Sequence, residues 1–144
     1  MKAFIRELES LFVNRKVEEL QQRWVEVTQT ETIAARDLDE LFQDTTQHLS
    51  PRWQVQLFSA WVSDILKQTR LVENAELVRQ LFQRLEQAIK SELSDDVLES
   101  LQVVMKQWLV LVDDTKLSQK LSKPILRAIK ETEEQIEKTL YLRR

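Results

Sequence analysis

The chain contains no glycine at all. Glycine lets a backbone turn through positive φ and approach a phosphate closely. Without it, the glycine loops of nucleotide-binding folds and the usual hairpin turns are excluded. Helices joined by short polar connections are the architecture left open. With 144 residues and 42 % hydrophobic side chains, the chain can bury roughly 68–70 % of its unfolded surface. It is expected to form a single helical domain over residues 1–144.

The apolar spacing agrees. From Ala3 to Val27, Phe4, Leu8 and Leu11 are followed by Val13, Val17, Leu20, Trp24 and Val27, a stripe alternating four and three. This predicts one long amphipathic helix, with a break near Asn14 as an alternative. Thr28 to Arg36 reads as a loop. Asp37 and Glu40 have capping-box spacing and predict a short helix carrying Leu38, Leu41 and Phe42 and ending near His48.

Ser50-Pro51 predicts a helix start, because serine can accept a backbone N–H and proline at the first helical position has no N–H to lose. Trp53, Leu57, Trp61 and Ile65 form one apolar line there, and Val55, Phe58, Val62 and Leu66 a second. That helix should be central. Asn74 caps the next, with Leu77, Val78, Leu81, Phe82, Leu85 and Ile89 inward. Ser94, followed by Asp95 and Asp96, caps another that runs to about Val112. Val103–Val112 is β-branched enough to permit a strand, but a lone strand would leave backbone groups unpaired. It is therefore assigned to helix. The last helix is expected from about Lys116, with Pro124 either starting or kinking it. The predicted class is all-α, a single-domain antiparallel bundle of five to six helices.

Catalytic chemistry finds little to stand on. There is no cysteine and one histidine, which removes thiolate nucleophiles, cysteine zinc sites and multi-histidine metal centres. His48 near Ser50 is not a triad, since Ser50 is already assigned to a cap and nucleophile sites are defined by geometry. Asp95/Asp96 and Asp113/Asp114 would lie roughly 27 Å apart on one helix, too far to share a metal ion. The first pair is assigned to a helix start and the second to the opening of the next helix. No catalytic, cofactor-binding or metal-binding residue is proposed. Trp24, Trp53, Trp61 and Trp108 fall on apolar stripes, and most are expected in the core, with one facing a partner as the alternative.

The sharpest feature is a basic ridge. Lys116, Lys120, Lys123, Arg127 and Lys130 recur at spacings of four, three, four and three, roughly 21 Å of one helix. It follows a stretch, Ser91 to Asp114, with six acids and one lysine. Such a ridge suits an acidic protein surface or nucleic-acid phosphates. It also suits a solvated face, or one paired with the acidic stretch. The overall charge of −3 argues against general nucleic-acid binding.

Met1 to Glu7 lacks the apolar core of an export signal. The longest apolar run, Trp108 to Val112, is far short of a membrane span. The chain reads as cytoplasmic, with no membrane partner. The expected function is a non-enzymatic adaptor, regulatory or assembly module that binds another protein through helix faces, a homodimer being one form of this. The alternative is a small subunit of a nucleoprotein complex that contacts RNA or DNA through the ridge.

Overall fold

The computed structural model describes residues 2–144, and side chains from residue 11 onward. Phe4 and Leu8, assigned above to the first apolar stripe, have side chains outside the described residues. Among those described, the regular structure is all helix: α1 (Lys2–Gln29), α2 (Ala35–His48), α3 (Pro51–Leu66), α4 (Thr69–Val72), α5 (Ala75–Ile89), α6 (Asp95–Asp114) and α7 (Gln119–Arg143). The excess over the expected five to six elements is the single turn α4. Residues form two compact units, Met1–Ser50 and Pro51–Arg144.

The first unit is the α1–α2 hairpin. α1 is continuous through Asn14. Leu20 and Trp24 are buried and Val13, Val17 and Val27 half-buried, whereas Leu11 is exposed. Leu11 precedes Leu20 by nine residues, roughly two and a half turns, which puts it on the opposite side of the helix. In α2, Leu38, Leu41, Phe42 and Thr45 are buried. Arg23 on α1 forms an ion pair with Asp44 on α2. That guanidinium, chiefly by hydrogen bonding, holds the Asp44 carboxyl below its usual range against the opposing effect of burial. Asp37 does not cap α2. The helix begins at Ala35 after Ala34, so Asp37 lies inside the first turn, where its charge faces the helix dipole.

The second unit is a four-helix arrangement of α3, α5, α6 and α7, with α4 in the α3–α5 connection. α3 starts at Pro51 as expected. Asn74 accepts from the Leu77 N–H at 3.1 Å and Ser94 from the Val97 N–H at 3.4 Å, so both polar caps are in place. The connections and two side-chain bonds fix the directions. α3 and α5 form a hairpin through α4. Trp108 Nε1 donates to Ser63 Oγ at 2.8 Å, joining the C-terminal parts of α3 and α6, which run parallel. Arg143 meets Asp95 at 2.6 Å, joining the end of α7 to the start of α6, which run antiparallel. By this chain of relations α5 and α7 are parallel neighbours. The topology is up-down-up-down.

α3 is central, with Phe58, Trp61, Val62, Ile65 and Leu66 fully buried. Across it, Phe82 on α5 meets Trp108 on α6 edge to face, with ring centroids 6.0 Å apart. Trp24 is buried in the first unit, and Trp61 and Trp108 are buried in the second; Trp53 is half-buried. Val103–Val112 is helical, and part of its β-branched content faces solvent, Val103 and Val110 each being 59 % exposed. The buried threonines Thr28, Thr45 and Thr132 each donate to the carbonyl four residues back at 2.8 Å. Among the described residues no buried side-chain N or O atom lacks a partner.

Candidate functional site

Lys116 does not belong to the ridge helix. α6 ends at Asp114, and Lys116 occupies the following turn at φ 48°. This is the left-handed position that glycine usually fills after a helix. In a chain without glycine, a lysine fills it. The turn stops one helix before the next starts, so the regular four-three spacing ran across a break that side-chain periodicity alone could not reveal. α7 then begins at Gln119, five residues ahead of Pro124. Pro124 therefore lies within the helix and does not start it.

The other four cations, Lys120, Lys123, Arg127 and Lys130, are on α7 and exposed. At 1.5 Å per residue they span about 15 Å. Roughly half a turn separates their mean direction from the buried stripe of Ile125, Ile129, Ile136 and Leu140. None of the four has an ion-pair partner within 4.0 Å among the described residues. The Arg143–Asp95 ion pair, which joins α7 to the acidic stretch, lies at the other end of the helix. Glu131, Glu133, Glu134 and Glu137 directly follow the ridge in sequence and terminate its positive character.

Asp113 and Asp114 are the last two residues of α6 and do not open α7 as expected. The intervening turn at Thr115 and Lys116 separates them from it. Asp95 and Asp96 occupy the first turn of α6, so the two acidic pairs sit at opposite ends of one helix. His48 is exposed, its Nδ1 3.0 Å from the Asp44 carbonyl. Among the described residues no group of three or more His, Cys, Asp or Glu side chains is placed to hold a metal ion.

Periodicity did not reveal a groove of about 380 Å³ between α5 and the first half of α7. Val78, Phe82, Leu121 and Ile125 supply apolar walls, and Ala75, Pro124 and Ala128 line it with short side chains. The parallel course of α5 and α7 places their starts side by side. The Phe82–Trp108 contact, with the α6–α7 hairpin, puts Phe82 near the level of Ala128. Lys120 and Ala75 therefore mark one end of the groove and Glu86 and Glu131 the other, about three turns away. Its volume and mainly apolar lining are those of a binding cleft. The sequence signal that could have found it is weak: alanines at Ala75 and Ala128, where longer apolar side chains would close the gap.

Arg79 lies on the rim and is clamped. Its Nε donates to Glu76 at 3.1 Å and its Nη1 to Gln83 at 3.2 Å, while Gln80 also donates to Glu76 at 3.0 Å. The Arg79 and Gln80 hydrogen bonds hold the Glu76 carboxyl down to about 2 from 4.5. A lowered folded-state value means the contact stabilises the fold above the ordinary glutamate range and is lost as pH falls from 4.5 towards 2. An NMR titration of the Glu76 side-chain carboxyl should show a midpoint near 2. A midpoint at the ordinary value would mean the clamp does not persist in solution.

Comparison with protein-family models, with curated proteins and with solved structures finds no match.

Proposed function

We propose that this chain is a non-enzymatic helical adaptor, regulatory or assembly module, working in the cytoplasm, that binds another protein through its helix faces. The observation that carries this reading is the α5–α7 groove, an apolar cleft bordered by charge at both ends. An open groove between helices is the kind of surface that receives another helix.

A second reading is favoured by one specific observation, the four exposed α7 cations without ion-pair partners. They suit phosphates, and the chain would then be a small subunit of a nucleoprotein complex. Against it stand the net charge of −3 and the acids that follow the ridge.

The deciding experiment is a pull-down from native lysate, with and without nuclease at matched salt. It uses the unmodified chain and a Lys123→Ala/Arg127→Ala/Lys130→Ala variant, which changes ridge cations outside the groove lining. A protein recovered equally in all arms is the expected result. Recovery that requires intact nucleic acid and is lost in the variant would replace the adaptor reading with the nucleoprotein one. Phosphate binding would also weaken steeply with salt, in proportion to the number of phosphates neutralised.

A further inference from the structure

We infer that the α5–α7 groove takes one amphipathic helix of a partner protein, bound antiparallel to α5 and α7, with basic residues at its N-terminal end. This inference rests on the protein-binding reading above and names its surface and its ligand.

The groove runs for about three turns along two helices that point the same way. Its charge is uneven along that axis. Glu86 and Glu131 stand exposed at the foot, where α5 nears its end. Neither has an ion-pair partner within 4.0 Å among the described residues. At the head is Lys120, likewise exposed and without such a partner. Arg79 adds little net charge because Glu76 pairs with it.

A helix N-terminus carries partial positive charge and a C-terminus partial negative charge. An occupant with its N-terminus at the Glu86/Glu131 foot and its C-terminus near Lys120 satisfies both ends. The reverse orientation sets like against like. Basic residues in the occupant's first turn strengthen the match. Apolar anchors at i, i+4 and i+7 would enter the space beside Ala75, Pro124 and Ala128.

The test uses two labelled fourteen-residue peptides with leucines at i, i+4 and i+7, each held helical by a staple on its polar face. One has lysines in the first turn and glutamates in the last; the other exchanges them. Anisotropy with the full chain at low salt should show the lysine-first peptide binding about tenfold more tightly, with the gap narrowing at high salt.

Two variants locate the site. Ala128→Arg should weaken binding of the lysine-first peptide about tenfold or more by filling the groove. Glu86→Lys/Glu131→Lys changes only exposed rim side chains, which keeps the test independent of folding, and should invert the peptide preference. No binding by either peptide, equal binding of both, or indifference to the rim reversal would overturn the inference. Ala128→Arg also separates it from the broader reading. If that variant still recovers the nuclease-resistant partner from lysate, the groove is not the docking surface and the adaptor function survives. If no protein partner is recovered by the unmodified chain, the adaptor function falls.

Discussion

Replacing Trp108 by alanine is expected to lower the stability of the chain by about 3–5 kcal/mol, the range for removing a large aromatic from a packed core. The ring is fully buried on α6, touches Phe82 of α5 edge to face and donates to Ser63 of α3 at 2.8 Å. One side chain thus ties three of the four long helices of its unit, and its loss leaves a cavity none of them can close alone. Trp108→Phe separates the contributions. It keeps an aromatic ring beside Phe82 but removes the N–H. Ser63 Oγ still donates to the Ser59 carbonyl at 3.1 Å, so only its accepting side is emptied. A smaller loss of about 1–2 kcal/mol should follow. Urea denaturation would measure both. A loss below about 1 kcal/mol for Trp108→Ala would contradict this account of the core.

Pro124→Ala should act in the opposite direction and stabilise the chain. Pro124 stands inside α7, where it has no N–H to offer the Lys120 carbonyl. Proline within a helix is about 3 kcal/mol less favourable than alanine, although its loss returns about 0.4–1 kcal/mol of entropy to the unfolded chain. The ring is exposed and contributes little packing. A net gain of about 1–2 kcal/mol is expected, equivalent to a rise in Tm of about 2–4 °C per kcal/mol for a chain of this size. A fall in Tm would mean that the proline ring supports α7 more than its missing hydrogen bond weakens it. Because Pro124 lines the groove, the same variant should also alter peptide binding there, which links this position to the proposed docking surface.

The helices were legible because amphipathic periodicity and caps are local. Asn74 and Ser94 act within four residues of themselves, and the Ser50-Pro51 start needs nothing beyond its neighbours. The core lines of α3 and the inward face of α5 follow from spacing alone. Reading failed where a local pattern had two outcomes. Asp37 at capping-box spacing suits a cap or a first-turn acid, and the chain settles on the second. The lysine spacing through Lys116 is compatible with a helix until the turn at φ 48° interrupts it. Of the two roles open to Pro124, starting a helix or kinking one, the first is excluded because α7 begins five residues earlier.

By itself the sequence determined the all-helical class, through the absence of glycine, the apolar periods and the caps. It also placed Lys120, Lys123, Arg127 and Lys130 together, since residues three and four apart share a side of any helix. Only the tertiary structure decided which helices became neighbours. Ser63 and Trp108 are 45 residues apart, and their meeting depends on how α3 and α6 pack, a long-range choice that no local spacing encodes. The groove has the same origin. Ala75 and Ala128 lie on separate helices and line one space because α5 and α7 pack side by side.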